Sequence, residues 1–510
     1  MLAKVKSGAN RGLEMIGIDV EVNVASKGLP SFDIIGLPDK AVAESRERVK
    51  TAILSSKLDF PNKKITVNLA PADVPKEGSC YDLPIAAGII SCETGCKIPE
   101  KSLFFGELSL DGSLRHTKGA FLLALFAKES GFENVFVPKG SVAEAAIVQG
   151  INVLPVENLE QLFLHFTTRK KIVPTLYQEE VNKAFLEAEF NMAEILGQEQ
   201  AKRAMEIAAA GGHNILMIGG PGSGKTMIAR ALPGILPALS MAEALEVTKI
   251  YSAAGQISPG DSLIRISPFR MPHHTASAVG LVGGGTRPQP GEISLAHRGV
   301  LFLDEFNEFP RSVIEALRQP LEDGHLTISR SKEKVKYPAR FMLVASANPC
   351  PCGYLNSPKK RCICSSRIVE KYRKKISGPI LDRIDLHIDV GTVDLQELSE
   401  NQKATQFLEP SALIRERIIK AREAQYQRFL GDSIFTNAEM KNPHIKKYCK
   451  LKKEVEQILQ QAGARFQLSA RSYFKMVKVA RTIADLESSS EIEVSHIAEA
   501  LQYRFKSEDI

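Results

Sequence analysis

A glycine-rich run near the middle of the chain carries the clearest chemical information in the sequence. Its members are Gly219, Gly220, Pro221, Gly222, Ser223, Gly224, Lys225 and Thr226. Glycines let the backbone wrap phosphate groups with its N–H groups turned inward, and Lys225 adds a cation for the β- and γ-phosphates. The hydroxyl of Thr226 suits a Mg²⁺ ion that bridges the same phosphates. The run therefore predicts an ATP site that uses Mg²⁺.

Three polar side chains downstream fit the remaining parts of an ATP-hydrolysing site. Asp304 and Glu305 follow the apolar run 300–303, which places two carboxylates at the end of a buried strand. We expect Asp304 to hold Mg²⁺ through water and Glu305 to polarise the attacking water. Asn348 ends the next apolar run and suits a side chain that orients this water, although an asparagine before a proline also suits a simple turn.

Apolar runs of strand length must bring these side chains to one edge of a sheet. The runs lie at 215–218, 300–303, 341–344 and 386–390. Runs that are apolar throughout are typical of parallel strands buried on both faces. We therefore predict an α/β domain with a parallel sheet.

The rest of the chain divides by its patterning. An N-terminal α/β region ends near His165, a polar and proline-containing stretch follows it, and after Gln396 the pattern is helical. The domains that we predict are 1–168, a linker at 169–190, an ATPase core at 191–395 and a C-terminal helical domain at 396–510.

Four of the eight cysteines form two C-x-C pairs. They are Cys350, Cys352, Cys362 and Cys364. Four thiolates that converge from the two ends of a hairpin suit tetrahedral Zn²⁺, whereas the alternatives are reduced free thiols or a lone redox pair. The segment between the pairs carries Lys359, Lys360 and Arg361, so it is also a candidate contact for nucleic acid.

Bulk composition excludes several classes of protein. The 510 residues are too many for one hydrophobic core, and no apolar run reaches the roughly 20 residues that a membrane crossing needs. The N-terminus lacks the apolar stretch of a signal peptide, so we expect a cytoplasmic protein with no membrane partner. The net charge of +7 is uneven, with nine Lys or Arg against two acidic residues at 357–383. That excess favours a polyanionic partner, although a solvated helix face explains it equally well.

With these motifs in order, the sequence resembles the ComM/YifB-like family, the magnesium-chelatase-related AAA+ proteins of bacteria that include a competence-associated DNA helicase. The resemblance covers nearly the whole chain, and its core segments are NILMIGGPGSGKT, MPHHTASAVGLVGGGTRPQPGEISLAHRGVLFLDEF, ASANPCPCGY, GPILDRIDLHIDV and LSARSYFKMVKVARTIADLE. It implies an AAA+ P-loop domain with a helical lid. It also implies a homo-oligomeric ring, a hexamer, with ATP bound between subunits.

The resemblance assigns roles to residues that patterning alone does not single out. Arg383, in LDRIDL, matches the arginine finger that reaches into the neighbouring subunit's site. Arg471, in LSARSY, matches the sensor-2 arginine of the lid. Gly197 and Gln198, in ILGQEQAK, resemble the segment that closes over the adenine base. Without the family, Arg383 would count as a surface residue before a strand and Arg471 as part of a basic helix face.

Two further segments are candidates for contact with DNA. The Gly, Pro and His-rich stretch 271–290 is too long for an ordinary connection, and by resemblance it is an insertion in the second helix that projects toward the pore. Residues 326–341 have the pattern of a β-hairpin, which looks like the pre-sensor-1 hairpin of related helicases. Its Lys332 and Lys334 are the predicted contacts to the nucleic-acid backbone, unless both are merely solvated.

The N-terminal domain resembles the Lon-protease-like α+β fold in the segments LAPADVPKEGSCYDLPIAAGI and GELSLDGSLRHTKGA. Cys80 stands where the protease has its serine, Phe121 stands near the place of the catalytic lysine, and Tyr81-Asp82 replace small residues. Because a Ser/Lys dyad needs an amine that activates the hydroxyl, we predict a non-peptidase domain. A role for Cys80 as a nucleophile with another base stays open.

Three functions compete once ATP hydrolysis is granted. A DNA motor, acting as a helicase or branch-migration translocase on single-stranded or branched DNA, is favoured by the basic lid, the cysteine knuckle and the hairpin lysines. Its role in recombination of DNA during natural transformation follows from the resemblance alone. A chelatase-type motor lacks support from this N-terminal domain, and an ATP-dependent protease needs the missing dyad.

Overall fold

The chain forms two compact units, one with Met1–Asn182 and Ala244–Ile264, the other with Lys183–Glu243 and Arg265–Ile510. The structure, a computed structural model, describes residues 1–177, 188–260, 262–285, 288–329, 334–355, 360–391 and 409–504. Two of the predicted DNA contacts, Lys332 and Lys359, lie outside these described residues. Residues 244–264 fall inside the range predicted for the ATPase core, yet they group with the N-terminal unit.

The N-terminal unit is built on a mixed sheet. Its elements are β1 (Leu2–Arg11), β2 (Glu14–Val24), β3 (Ser31–Ile35), α1 (Lys40–Ser55), β4 (Lys64–Ala70), α2 (Asp82–Thr94), β5 (Ser102–Phe104), β6 (Glu107–Leu108), β7 (Leu114–Arg115), α3 (Ala120–Glu129), β8 (Asn134–Pro138), α4 (Val142–Ala146), β9 (Asn152–Val156) and α5 (Leu159–Phe166). Within the described residues the main sheet has seven strands in the order β3-β4-β2-β1-β5-β8-β9. The pairs β1-β2 and β2-β4 are antiparallel, and the other pairs in the sheet are parallel.

Side-chain alternation explains how this sheet forms. Along β2, the apolar residues from Ile18 to Val24 are buried and the polar residues between them are more exposed. That alternation places one face of the strand on a core. The helix α2 is buried on all sides from Asp82 to Ile90, and it packs against β1 and β2. The mixed α and β architecture predicted for this part of the chain is confirmed.

The second unit begins with helices and strands in alternation and ends in helices. Its elements are α6 (Glu199–Gly211), β10 (Ile215–Ile218), α7 (Lys225–Ala231), the first residues of α8 (Met241–Ala254, of which Ala244–Ala254 are assigned to the N-terminal unit), β11 (Phe269–Arg270), α9 (Ala278–Val282), β12 (Gly283–Gly284), β13 (Gln289–Pro290), α10 (Glu292–Leu295), β14 (Val300–Leu303), α11 (Arg311–Ala316), α12 (Arg318–Asp323), β15 (His325–Ser329), β16 (Lys334–Pro338), β17 (Met342–Ala347), α13 (Ser366–Arg373), α14 (Gly378–Leu381), β18 (Leu386–Asp389), α15 (Ser411–Arg428), α16 (Asn442–Tyr448), α17 (Lys453–Phe466), α18 (Ala470–Leu486) and α19 (Val494–Gln502).

The central sheet of this unit is parallel, as the apolar runs predict. In the described part of the chain it contains five strands in the order β11-β14-β17-β10-β18. The four predicted strands are present, and β14 and β17 are fully buried along their length. Because parallel strands end at the same edge, the segments that follow β10, β14 and β17 meet there. These segments carry the predicted catalytic residues.

The C-terminal helices dock on this core through buried polar contacts. His213 Nε2 and Thr482 Oγ1 lie 2.8 Å apart, and both residues are fully buried. Lys475 Nζ donates to the carbonyl of Ile384 at 2.7 Å. Because such contacts join α18 to the sheet, the helices and the sheet form one compact unit. None of the described helices is long and apolar enough to cross a membrane.

Candidate active site and metal centre

The glycine-rich run forms a tight loop between β10 and α7. Gly222 and Gly224 have φ angles of +72° and +88°, a left-handed backbone that glycine adopts without strain. A side chain added at either position would meet nothing within 4 Å, so the space beside the loop is open. The loop can therefore turn its N–H groups toward an anion at the start of α7.

Lys225 is nearly buried at the base of this loop, with 8% of its surface exposed. Its Nζ donates to the carbonyl oxygens of Gly219 at 2.7 Å and Gly220 at 2.8 Å. Burial lowers the pKa of Lys225 from its ordinary value, because the charged amine loses water. A phosphate group next to this ammonium would supply the compensating negative charge that neutral carbonyls only partly provide.

Thr226 and Asp304 meet at the carboxyl ends of β10 and β14. Thr226 Oγ1 donates to Asp304 Oδ2 at 2.8 Å, and the hydroxyl of Ser346 contacts the other carboxylate oxygen. Hydroxyl, carboxylate and water oxygens are the ligands that Mg²⁺ prefers, so these residues fit the predicted ion. Sequence reasoning missed Ser346. Its position near the end of the apolar run that Asn348 follows was the available signal.

Glu305 follows Asp304 with a left-handed backbone, at φ 52° and ψ 47°. Its N–H lies 3.0 Å from Asp304 Oδ1 and 3.3 Å from Ser346 Oγ. A residue other than glycine in this conformation costs about 1–3 kcal/mol, and such strain concentrates at functional sites. The side chain is 55% exposed, and its Oε2 lies 3.2 Å from Nδ1 of His274. The histidine contact was not foreseen from the sequence, because 30 residues separate the two.

Asn348 and Gln198 complete the carboxyl edge of the sheet. Asn348 Oδ1 lies 3.4 Å from Lys225 Nζ, so the residue after β17 faces the phosphate loop. Gln198 Nε2 donates to the carbonyl of Ser223 at 3.3 Å and to that of Gly391 at 2.5 Å. Gln198 and the preceding Gly197 are both left-handed, which turns the chain from the loop into α6. The structure therefore brings both predicted residues next to the glycine loop.

Arg383 and Arg471 lie together rather than beside the glycine loop. Arg383 donates to the carbonyl of Pro379 at 2.6 Å and pairs with Glu322, and Arg471 Nη2 lies 3.0 Å from the other oxygen of Glu322. Glu322 thus joins the two arginines, and the Arg383 guanidinium lowers the pKa of this carboxyl. Sequence reasoning missed Glu322, since only the folded chain brings α12, α14 and α18 together.

Both arginines line a cavity of about 830 Å³ at the other edge of the parallel sheet. Its lining includes Asn214 before β10, Val300 at the start of β14 and Met342 at the start of β17. These residues mark the amino ends of the strands, whereas the glycine loop follows a carboxyl end. Arg383 and Arg471 therefore lie on the side of the sheet that faces away from the nucleotide loop of their own chain.

The four clustered cysteines converge as the spacing predicts. Their sulfur atoms all lie within 4.8 Å of one another. The separations are 3.4 Å for Cys350 and Cys352, 3.7 Å for Cys350 and Cys362, and 3.6 Å for Cys352 and Cys362. Sulfur atoms around tetrahedral Zn²⁺ are roughly 3.8 Å apart, since each Zn–S bond is about 2.3 Å long. The residues present therefore fit a Zn²⁺ ion.

The environment of Cys352 also favours a metal-binding thiolate. The backbone N–H groups of Tyr354 and Ile363 lower the pKa of Cys352 to about 6. A metal centre here would lie against the nucleotide site, because a side chain on Gly353 would come within 2.6 Å of Pro221 in the glycine loop. Gly353, the residue after Cys352, therefore packs directly against the glycine loop.

The two segments predicted to contact DNA pack against each other. β15 and β16 form the predicted antiparallel hairpin, with Lys334 and Lys336 exposed on one face of β16. The hydroxyl of Tyr337 donates to the carbonyl of Pro288 at 2.7 Å. A carbon atom added to Gly283 would come within 2.9 Å of Ile328 Cδ1. The hairpin therefore rests on the β12–β13 part of the insertion.

Two basic residues between the cysteine pairs lie within the described part of the chain, and both are exposed. Lys360 Nζ lies 5.1 Å from the ring centroid of Tyr354, which is a cation–π contact. The Lys360 side chain is nevertheless exposed to solvent. Arg361 is exposed next to Cys362. Both side chains can therefore reach a polyanion without a rearrangement of the cysteine cluster.

Cys80 in the N-terminal unit is buried just before α2. Burial raises the pKa of this thiol well above its ordinary value, which opposes formation of the nucleophilic thiolate. Phe121 is buried on α3, where its side chain contributes to the hydrophobic core. The environment of Cys80 is that of a core thiol.

Comparison with known proteins gives matches along nearly the whole chain. Residues 191–398 match the family described as magnesium chelatase, subunit ChlI; residues 20–141 match subunit ChlI of Mg-chelatase; and residues 408–504 match the ChlI C-terminal region. The chain is 41% identical to the uncharacterized protein YifB of Escherichia coli and 41% identical to competence protein ComM of Haemophilus influenzae. Each alignment covers 99% of this chain and 97% of the relative. The magnesium-chelatase 38 kDa subunit of Cereibacter sphaeroides is 29% identical over 31% of this chain and 53% of that protein.

Proposed function

The chain belongs to the ComM/YifB-like family of AAA+ ATPases related to magnesium chelatase, and from this premise we propose that it is a ring-forming motor that couples ATP hydrolysis to movement along DNA. The observation that carries the DNA part is the packing of the lysine-bearing hairpin on the insertion next to the nucleotide edge. ATP and Mg²⁺ belong to the AAA+ family, and the residues named above fit both.

The carboxyl edge of the sheet supplies the parts needed for hydrolysis. The glycine loop and Lys225 would bind the phosphates, while Thr226 and Asp304 would hold Mg²⁺, which would supply positive charge beside the phosphate oxygens. Glu305 accepts the proton of the attacking water, and Asn348 orients that water between Glu305 and the γ-phosphate. The side chain of Gln198 positions the segment of Gly197 and Gln198, which we expect to close over the adenine base of ATP.

A complete site needs a second subunit. Arg383 and Arg471 lie at the opposite sheet edge from the loop of their own chain, so a head-to-tail ring would bring them to a neighbour's γ-phosphate. Charge on the transferred phosphoryl group would then replace the carboxylate of Glu322 as their partner. The hexamer is the ring size that the family resemblance implies.

DNA would be held by basic side chains that carry no base-specific geometry. Lys334 of the hairpin and Lys360 and Arg361 beside the cysteine cluster are exposed, and Lys332 and Lys359 are proposed contacts outside the described residues. Binding of this kind is driven by release of counterions from phosphates, so it tolerates single-stranded and branched DNA alike. The name of the relative ComM suggests a role in competence, which leads us to propose branch migration during recombination of transforming DNA, in the cytoplasm.

A chelatase-type ATPase is the second candidate, because the matching family descriptions name a magnesium chelatase subunit. Two relatives whose names include magnesium-chelatase align with 31% and 45% of this chain, whereas ComM aligns with 99%. A protease is the weakest candidate, since the thiol at the expected nucleophile position is a buried core thiol.

The DNA function is tested by the ATPase rate of the purified protein with single-stranded, duplex and four-way-junction DNA at several salt concentrations. We expect DNA to raise the rate and affinity to fall steeply with salt. Lys334→Ala and Arg361→Ala should each reduce the slope of log K against log salt by about 0.7–0.9, the value of one phosphate contact. Lys27→Ala, an exposed lysine of the N-terminal unit, is the matched control. Indifference to all three DNA forms, with a response to porphyrin and Mg²⁺, would favour the chelatase.

The cysteine cluster is expected to hold one Zn²⁺ per subunit. Replacing Cys362 and Cys364 with serine should release the metal, because serine oxygens are poor ligands for it, and should weaken DNA binding by loosening the basic segment between the cysteine pairs. Elemental analysis of protein purified without chelator measures the zinc content. Cys96→Ser removes a partly exposed thiol outside the cluster and should keep the metal. A zinc content near zero, together with four freely titratable thiols in the cluster, would refute a zinc centre.

A further inference from the structure

The turn at 350–353, which contains two of the clustered cysteines, ends at a glycine that lies against the nucleotide loop. Gly353 is buried, and its backbone is left-handed, with a φ angle of +79°. A carbon atom added to Gly353 would come within 2.6 Å of Pro221 Cδ and 3.2 Å of Pro221 Cγ. Carbon atoms in good contact are roughly 3.5–4.0 Å apart, so glycine is the residue that fits between the turn and the loop.

The loop presents a glycine to the turn at the same contact. A carbon atom added to Gly220 would lie 3.1 Å from the carbonyl oxygen of Gly353. The carbonyl of Gly220 accepts from Lys225 Nζ at 2.8 Å and from Ser223 Oγ at 2.9 Å. A displacement of Gly353 would therefore reach Lys225, the lysine proposed to bind phosphate, through a single residue.

The position of Gly353 depends on the cysteines that precede it. Gly353 donates its N–H to the carbonyl of Cys350 at 2.9 Å, which closes the turn. The sulfur atoms of Cys350 and Cys352 both contact the sulfur of Cys362, which lies 12 and 10 residues farther along the chain. A metal ion shared by these thiolates would fix the turn, because binding free energy at such a site stabilises the fold around it. Metal binding would thus restrict where Gly353 meets the loop.

We propose that Gly353 is a positioning residue of the nucleotide site and that the metal centre of the cysteine cluster sets its place. The metal-bound turn holds the glycine loop in the arrangement that binds ATP, so metal binding and ATP binding strengthen each other. Such linkage is reciprocal, because the factor by which the metal raises ATP affinity equals the factor by which ATP raises metal affinity. This inference rests on the proposed nucleotide site and zinc centre, and it does not depend on DNA.

Gly353→Ala is expected to raise the Kd for ATP about tenfold, because the added carbon displaces the turn from Pro221 and alanine disfavours the left-handed backbone. The kcat at saturating ATP should stay near the wild-type value, since no group that acts on phosphate or water is removed. Zinc should also be kept, because the four thiols remain. Gly131→Ala is the matched control, since Gly131 has a φ angle of +76° and an added carbon would meet nothing within 4 Å. It should bind ATP like the wild type.

A second substitution separates the close contact from a general loss of stability. The two atoms nearest to the added carbon belong to the ring of Pro221, so Pro221→Ala makes room for it. The double variant Pro221→Ala/Gly353→Ala should therefore bind ATP more tightly than Gly353→Ala alone, which is the coupling expected of two residues in contact. A loss of ATP affinity that came from reduced stability would not be reversed by a second truncation.

Zinc affinity gives a readout that is independent of ATPase activity. It is measured on the full chain by competition with a chelating dye, with and without saturating ATP and Mg²⁺. We expect ATP to raise the zinc affinity of the wild type at least about fivefold, and zinc-stripped wild type to bind ATP more weakly by the same factor. In Gly353→Ala the effect of ATP on zinc affinity should be smaller, because the contact that links the two sites is displaced.

Three results would overturn the inference. They are a Kd for ATP that Gly353→Ala leaves unchanged, a double variant that binds ATP no better than Gly353→Ala, and a zinc affinity of the wild type that ATP does not alter. Lys225→Ala distinguishes this failure from failure of the proposed function. Normal ATP binding by Lys225→Ala would refute the nucleotide site itself, whereas weakened binding there beside normal binding by Gly353→Ala would overturn the role of Gly353 alone.

Discussion

Glu305→Gln is expected to leave ATP bound and to lower kcat by about a hundredfold or more, because glutamine keeps the shape of the side chain but cannot accept the proton of the attacking water. Lys225→Ala should instead weaken binding, since it removes the buried ammonium at the base of the glycine loop, where the phosphates of ATP are expected. The two variants therefore separate chemistry from affinity. Equilibrium binding of a fluorescent ATP analogue and single-turnover hydrolysis measure the two quantities independently.

Glu308→Gln provides the matched control for Glu305→Gln. Glu308 lies on the same turn, three residues along, and its partner is Lys375 at 3.3 Å rather than a residue of the nucleotide edge. It should retain binding and turnover close to those of the wild type. Hydrolysis by Glu305→Gln at the wild-type rate would remove Glu305 from the mechanism, and normal ATP affinity of Lys225→Ala would remove Lys225 from the phosphate site.

The nucleotide edge was the part of the structure most open to prediction from sequence. Its chemistry resides in short segments that directly follow apolar strands, so a local pattern specifies both the residue types and their place at the carboxyl edge. β10 and β14 span the predicted runs 215–218 and 300–303, and β17 is shifted from its run by one residue at its start. The cysteine cluster was predictable for a similar reason, since its two pairs are only nine residues apart in the sequence.

Residues whose partners are distant in sequence could not be placed in this way. The pairing of Glu322 with Arg383 and Arg471 depends on how the C-terminal helices dock, and that docking uses buried contacts such as Lys475 with the Ile384 carbonyl. A helical pattern at α18 shows which face is apolar but not which edge of the sheet it covers. The family resemblance gave Arg471 a role, and only the folded chain shows that it shares a carboxylate with Arg383.

The largest expected effect of an arginine substitution is for Arg383→Ala, which should lower kcat by about a thousandfold, the usual contribution of an arginine finger. If the finger acts on the neighbouring subunit, a mixture with Lys225→Ala protein should recover activity. The Arg383→Ala subunits supply intact loops and the Lys225→Ala subunits supply intact fingers. At equal amounts, about a quarter of the junctions in a head-to-tail ring would combine the two, so recovery should not exceed that share of the wild-type rate.

Arg471→Ala extends the same experiment to the second arginine, and the geometry decides the expected result. Arg471 shares Glu322 with Arg383 and lines the same cavity at the amino ends of the strands, so we expect it to act on the same neighbouring site. A mixture of Arg471→Ala with Lys225→Ala should then recover activity as the Arg383→Ala mixture does. An arginine that served its own loop would give no recovery, because each subunit would then carry a defect in its own site.

Arg318→Ala is the control, because the Arg318 side chain pairs with Glu315. This variant should hydrolyse ATP close to the wild-type rate without being mixed with another variant. Absence of recovery in both mixtures, with rings confirmed by light scattering, would contradict a composite site between subunits.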